Sequence, residues 1–308
     1  MYDLAIIGGG PAGVSAGVYA SRKKLKTVFI TKDFAGQSTV SDGIENWIGT
    51  ENISGIDLSK NLENHLKAYA EDIVDIKEGQ LGEKVEKIDG GFKITTDKET
   101  FEAKTVLITT GSHRRKLDAK GADQFEHKGI TYCASCDGPL FTGKDVVVIG
   151  GGNAGFESAA QLLAYTKSVT LIHRNKEFLK ADAATVDAVL KHPNMKTIMN
   201  AETIEVLGDK FANALIYKDR DTGEETEIKT DGIFVEIGAI PTTDMVDGVA
   251  ERDEFNRIIV DPANQRTKTT GIWAAGDCTN GLYHQNNIAA GDAVKALEDI
   301  YIYVKKSS

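Results

Sequence analysis

Leu4-Ala5-Ile6-Ile7-Gly8-Gly9-Gly10-Pro11-Ala12-Gly13 is a short apolar run that closes in Gly-x-Gly-x-x-Gly and passes into a helix-like stretch to Ser21. Strand, glycine turn and helix in that order are the setting in which the motif means dinucleotide binding. Gly8 permits the tight turn, Gly10 lets a pyrophosphate approach the backbone, and Gly13 allows the helix to pack closely on the strand. The pattern returns as Asp145-Val146-Val147-Val148-Ile149 followed by Gly150-Gly151-Gly152-Asn153-Ala154-Gly155, a helix-like stretch through Tyr165 and a strand at 168–172. One glycine motif is weak evidence; two in the same setting predict an α/β chain that holds two dinucleotides.

Just before the second motif stands Tyr132-Cys133-Ala134-Ser135-Cys136-Asp137-Gly138, with two of the chain's 3 cysteines. Cys-x-x-Cys places both sulfurs on one turn, and a thiol at a helix start gains thiolate character from free backbone N–H groups. A zinc site of this type needs a second ligand pair, and Cys278 stands alone, so no metal is expected. The pair reads as a redox dithiol. Asp137, directly behind it, is placed either to cap a helix start or to move a proton.

Composition narrows the function classes. A formal net charge of -10 argues against nucleic acid or an anionic membrane surface as the main partner. No apolar run reaches the roughly 18 residues of a membrane span. Met1-Tyr2-Asp3 leads straight into the first strand without a basic leader, which predicts a cytoplasmic protein. In a reducing compartment a Cys-x-x-Cys is more often a working pair than a staple.

The remaining segments fit that frame. Thr27-Val28-Phe29-Ile30 reads as a second strand, followed by Thr31-Lys32-Asp33 where an acid gripping an adenosine ribose is expected one step earlier. Helical spacing over 60–70 places Leu62, Leu66 and Tyr69 on one core face. Short alternating pieces between Gly79 and Ala103 predict a β-meander, and 105–109 a separate buried strand. His113-Arg114-Arg115-Lys116 reads as a linker, residues 195–235 as further strands, and Ile288 to Val304 as a closing helix. Gly271-Ile272-Trp273-Ala274-Ala275-Gly276-Asp277 is a strand whose terminal Asp can accept from a cofactor hydroxyl or cap a helix. Cys278 reads as a small buried apolar residue.

With Gly8-x-Gly10-x-x-Gly13, Gly36-Gln37, Glu45-Asn46-Trp47, Cys133-x-x-Cys136-Asp137, Gly150-x-Gly152-x-x-Gly155 and Ala274-Ala275-Gly276-Asp277 in this order, the chain resembles the low-molecular-weight thioredoxin reductases, flavoproteins with two dinucleotide-binding domains. The resemblance runs over essentially the whole chain. It implies two Rossmann-like domains of the three-layer ββα type, the second inserted into the first. FAD would be bound by 1–112 and 245–308, and a pyridine nucleotide by 113–244, which also carries the dithiol. On the flavin side it implies Gly8, Gly10, Pro11, Ala12, Gly13, Gly36, Gln37, Asn46, Val85, Thr110, Gly111, Asp277, His284, Gln285 and Asn286. On the nucleotide side it implies Gly150, Gly152, Asn153, Ala154, Gly155, His173, Arg174 and Lys176.

The implied activity runs from NADPH or NADH through FAD to the Cys133–Cys136 disulfide, and from there to thioredoxin or a similar small dithiol protein. Cys136 would face the flavin, Cys133 would attack the partner, and Asp137 would serve as acid and base. Because dithiol and nicotinamide must both reach one flavin, the inserted domain is expected to rotate, with hinges near 113–116 and 241–246. A homodimer is expected from the resemblance alone. Alternatives stay open: a peroxidase-type dithiol partner, ferredoxin as donor, an oxygen-using dithiol oxidase, or a non-enzymatic flavin sensor. Two departures bear on the cofactors. His284-Gln285-Asn286 replaces the family's usual Arg-Gln-Ala. His173-Arg174-Asn175-Lys176-Glu177-Phe178-Leu179 keeps one arginine of the three that usually hold a 2′-phosphate, and His173 stands where an acid for a ribose diol is expected. NADPH and NADH are therefore expected to differ by less than about a hundredfold in kcat/KM, with Lys176 as a partial substitute for the lost charge; a preference for NADPH of roughly several thousandfold would mean that Lys176 or Lys180 supplies it.

Overall fold

Leu4 to Ile7, Val28 to Ile30 and Val106 to Ile108 are each at most 2% exposed. Runs that are apolar at every position belong to strands covered on both faces, and these lie side by side in one parallel sheet. The computed structural model of the chain describes residues 1–41, 43–179 and 181–307. Among them the backbone divides into two units, Met1–His113 with Ile240–Ser308, and Arg114–Ala239, so that 240–244 lie with the first unit.

In the first unit the sheet order is Val74–Glu78, Thr27–Thr31, Tyr2–Ile7, Thr100–Ile108, Gly91–Thr96, Gly82–Ile88, with Ile272–Ala274 also pairing along Thr100–Ile108. Alternation along the central strands sorts their side chains into two cores. Leu4, Ile6, Phe29, Leu107 and Trp273 face the helices Pro11–Arg22, Gly55–Ala70 and Asn286–Ser307. Ala5, Ile7, Val28, Ile30, Val106 and Ile108 face the other way, onto Val85, Phe92 and Ile94 of the meander. Meander, sheet and helices make the three layers.

The expected separate strand at 105–109 is instead the second half of Thr100–Ile108. Its first half pairs antiparallel with Gly91–Thr96, and its second half runs parallel beside Tyr2–Ile7 and Ile272–Ala274. Helix Gly55–Ala70 starts a turn earlier than its apolar spacing suggests, because the Ser54 hydroxyl caps it by accepting from the Asp57 N–H at 3.0 Å. On that helix Leu66 is fully buried, whereas Tyr69 is 41% exposed and leaves the core face assigned to it. Its ring instead packs on His65 and under Arg22.

The second unit repeats the plan. Its parallel sheet runs Met195–Ile198, Ser168–Ile172, Asp145–Ile149, Gly232–Val235, Ile130–Thr131. Val146, Val148, Val169, Leu171 and Phe234 pack on one side with helix Asn153–Leu162. Val147, Ile149, Ile172, Ile233 and Val235 pack on the other with the antiparallel sheet Ala201–Gly208, Ala212–Asp219, Glu225–Lys229. No helix among the described residues is long and apolar enough to cross a membrane.

Candidate functional sites, one in each unit

The two glycine loops are built alike. Gly8 has φ +121° and Gly150 φ +125°, values open to glycine alone at a turn this tight. A Cβ on Gly13 would stand 1.8 Å from the Gly8 carbonyl oxygen, and one on Gly155 would stand 1.9 Å from that of Gly150, so helix and strand could not close up. Gly10 and Gly152 differ. Their backbones are ordinary (φ -76° and -96°), and a Cβ on either would meet nothing within 4 Å. Neither backbone nor packing requires glycine there. What the missing side chain keeps clear is the space before a helix N-terminus with free N–H groups, which suits a pyrophosphate.

In the first unit that space opens into a cavity of about 550 Å³, the size of a cofactor cleft. Of the residues singled out on the sequence, Gly8, Gly10, Pro11, Ala12, Gly36, Gln37, Thr110, Gly111, Asp277 and Asn286 line it. Gln37 Nε2 donates to Ser112 at 3.3 Å and to Asp277 Oδ2 at 3.4 Å. Asn286 exchanges hydrogen bonds with Ser38. His284 lies 3.6 Å from Asp277 and 2.9 Å from the Gly281 carbonyl, so it borders the cavity through Asp277. Asn46 donates to Gln285 at 3.1 Å; the two form a pair outside the lining. Val85 is 1% exposed inside the meander core and is not part of the lining. Thr31, Asp33 and Gln80 to Gly82 line the cavity without having been singled out as site residues. The Asp33 side chain is engaged locally, accepting from the Ala35 N–H at 3.0 Å.

In the second unit Asn153 and Ala154 open helix Asn153–Leu162 behind Gly152. His173 lies on the loop itself, since a Cβ on Gly151 would meet its ring at 2.6 Å. Burial pulls the His173 pKa down, with the Glu177 carbonyl (3.1 Å) opposing, and the ring stacks on Phe178. His173 is thus part of the wall beneath the loop. Arg174 is exposed. Lys176 is engaged by Asp221 at 2.6 Å, and Lys180 lies outside the described residues. A further acid is buried beside the loop: the Glu236 carboxyl accepts from Ser158 Oγ at 2.7 Å, and its backbone oxygen is what a Cβ on Gly150 would strike.

The dithiol sits at the end of strand Ile130–Thr131, in the same unit. Cys133 and Cys136 form a disulfide, with Cα atoms 5.3 Å apart. Cys133 is the N-cap of the short helix Ala134–Asp137, and its sulfur accepts from the Cys136 N–H at 3.2 Å. Both cysteines and Asp137 are half-buried. Buried Thr131 ties the turn together: its hydroxyl donates to Asp137 Oδ2 and lies 3.4 Å from the Cys133 N–H. Cys278 is fully buried, and that burial pushes its thiol pKa up to about 11, so it stays protonated and inert. No cluster of potential metal ligands occurs among the described residues.

The pattern of the pyridine nucleotide-disulphide oxidoreductase family fits residues 2–293. A relative named NADH dehydrogenase, from Bacillus subtilis, is 38% identical over 303 residues, 98% of this chain and 58% of its own length. Another, named as a subunit of alkyl hydroperoxide reductase, from Staphylococcus epidermidis, is 38% identical over 304 residues, 98% of this chain and 59% of its own. The chain therefore spans under two thirds of the curated relatives it matches. The solved thioredoxin reductase of Streptococcus pyogenes superposes with a TM-score of 0.89 at 32% identity, covering 99% of both chains. The chain is a member of the pyridine nucleotide-disulphide oxidoreductases, with the sequence and fold of their low-molecular-weight thioredoxin reductase branch.

Proposed function

We propose that the chain takes electrons from NADPH or NADH through FAD to the Cys133–Cys136 disulfide and delivers them to thioredoxin or a similar small dithiol protein. The observation that carries this reading is the half-buried dithiol whose first sulfur caps a helix start, set in a unit with its own dinucleotide loop. FAD supplies the step between a two-electron hydride donor and a disulfide.

The remaining steps belong to side chains of this protein. In the reduced dithiol, the helix-start N–H groups favour the Cys133 thiolate, which attacks one sulfur of the partner's disulfide while the other leaves as a thiolate. Cys136 then attacks Cys133, re-forming the internal disulfide and releasing the partner's second sulfur. Asp137, held by Thr131 behind Cys136, is placed to receive the Cys136 proton and return it to a departing thiolate. The 1–113 and 240–308 unit would hold the flavin in its cavity, and 114–239 the nicotinamide nucleotide.

Anaerobic turnover against purified thioredoxins tests the acceptor, and rapid reduction is the expected result. The similarity to the alkyl hydroperoxide reductase relative favours one rival, a peroxidase-type dithiol domain. Reduction of that domain with no reduction of any thioredoxin would transfer the function to it. Oxygen consumption that outpaces both would mark a dithiol oxidase.

The glycine loop gives a separate check on the flavin. Gly10→Ala is expected to fold like the wild type, since nothing stands within 4 Å of the new methyl. FAD affinity should fall by about tenfold or more, equivalent to at least ~1.4 kcal/mol. Flavin content and reconstitution titrations read the change; full retention of flavin would place the pyrophosphate elsewhere.

A further inference from the structure

The loop that follows strand Ser168–Ile172 does not stand alone in the fold. Each of its first three carbonyls is taken by the antiparallel sheet: His173 by the Ala201 N–H at 3.0 Å, Arg174 by Arg220 Nη1 at 2.8 Å, and Asn175 by the Asn200 N–H at 3.0 Å. Arg220 also donates its own N–H to the Asn200 carbonyl at 2.9 Å. The hairpin between Ala212–Asp219 and Glu225–Lys229 is thereby clamped to residues 173–176, which themselves lie on the glycine loop through His173.

Two acids come with it. Asp219 is used inside the turn, accepting from the N–H groups of Asp221 and Thr222 at 2.9 Å each. Asp221 instead points its carboxylate at Lys176, 2.6 Å away. Residues 173–176 follow the second strand of the dinucleotide fold, where the adenosine ribose is read. No acid occurs in that stretch of sequence; the hairpin brings one in from 45 positions along the chain, counting from Lys176 to Asp221.

We propose that Asp221 determines which pyridine nucleotide this protein takes, accepting from the ribose hydroxyls of the 2′-unphosphorylated form and excluding the 2′-phosphorylated one. The inference rests on the second glycine loop being the nucleotide site. A 2′-phosphate carries close to two negative charges and needs free cations at this end of the site. Asp221 works against it twice, by direct repulsion and by occupying the ammonium of Lys176. Arg220 is turned to the Arg174 carbonyl. A ribose diol needs only an acceptor, which the carboxylate supplies while Lys176 holds it in place.

The test is equilibrium binding of NAD+ and NADP+ to the flavin-loaded full chain by calorimetry, which requires no turnover. The wild type is expected to bind NAD+ at least about tenfold more tightly than NADP+. Asp221→Asn should shift that ratio by about tenfold toward NADP+, because it removes the repulsion and frees Lys176. Lys176→Gln serves as the second variant. It leaves Asp221 charged and unpaired, so the ratio should move the opposite way by a few-fold. Both nucleotides binding with a ratio that neither substitution moves would overturn the inference and leave the nucleotide site standing. So would a wild type that prefers NADP+ tenfold. Failure of either nucleotide to bind would overturn the site reading itself, and the inference with it.

Discussion

Cys136→Ser protein is expected to keep its flavin and the reduction of that flavin by pyridine nucleotide, while turnover with a protein disulfide falls to roughly a thousandth or less. The split follows from where the sulfurs stand. Cys133 is the helix N-cap and accepts the Cys136 N–H, so its thiolate is the one the backbone favours. Without Cys136 that thiolate can still attack a partner disulfide, but nothing remains to displace it, and a covalent mixed disulfide should accumulate. Cys133→Ser should lose turnover just as fully and trap nothing through position 133. Stopped-flow absorbance of the flavin and non-reducing mass spectrometry of the protein with its partner separate the two variants. Trapping by Cys133→Ser with none by Cys136→Ser would exchange the roles of the two sulfurs. Undiminished turnover in either variant would remove the dithiol from the electron path. Cys278 cannot substitute, since it is fully buried and keeps its proton.

The features legible in the sequence are those whose cause is local. Gly8, Gly13, Gly150 and Gly155 are needed by a backbone turn and a helix packed a few residues away, so their spacing alone announces strand, loop and helix. The Cys-x-x-Cys pair is local in the same sense; the Ser54 cap that moves the start of helix Gly55–Ala70 is local too, but apolar spacing alone does not reveal it. Apolar runs predict doubly covered strands, but they do not show that Thr100–Ile108 serves the meander with one half and the parallel sheet with the other. The periodicity that put Tyr69 with Leu62 and Leu66 marks a face, not its edge, and an amphipathic ring at the edge stays partly in water.

Around the second glycine loop, the features missed are long-range. Reading 173–179 alone shows a depleted basic cluster and a histidine, His173, where an acid for the ribose diol is expected, hence little discrimination between donors. Folding adds Arg220 and Asp221 from a hairpin whose docking rests on backbone carbonyls, and these leave no trace in the spacing of side chains. Lys176 counted by sequence as a free charge; beside Asp221 it is half of an ion pair. Thr131 is a local feature that was also missed: six residues before Asp137, its hydroxyl holds that carboxylate behind the dithiol.

Glu236, a carboxyl that folding buries, gives the second large effect. It follows directly on the apolar strand Gly232–Val235 and is 9% exposed. Burial pushes its carboxyl pKa from 4.5 up to about 7; the Ser158 hydroxyl and the Arg114 charge pull it down, and Glu157 adds to the rise. Between about pH 4.5 and 7 the folded chain holds a proton that the unfolded chain has released, so stability falls as pH rises through that window. Above it the ionised carboxylate costs the fold roughly 3 kcal/mol, from 1.36 kcal/mol per pKa unit. Glu236→Gln keeps an oxygen to accept from Ser158 and never ionises. At pH 8.5 the variant is therefore expected to be more stable than the wild type by roughly 2–3 kcal/mol, and at pH 5 the two should be nearly equal. Both tryptophans, Trp47 and Trp273, lie in the other unit, so their fluorescence would follow the wrong part of the chain. Hydrogen exchange of the amides in Gly232–Val235 and Asp145–Ile149, wild type against variant at each pH, reads the difference where it arises. Equal protection at pH 8.5 would mean that water or a nearby cation solvates the carboxylate in the folded protein. A difference of the same size at pH 5 would mean that the glutamine acts through packing, with no part played by ionisation.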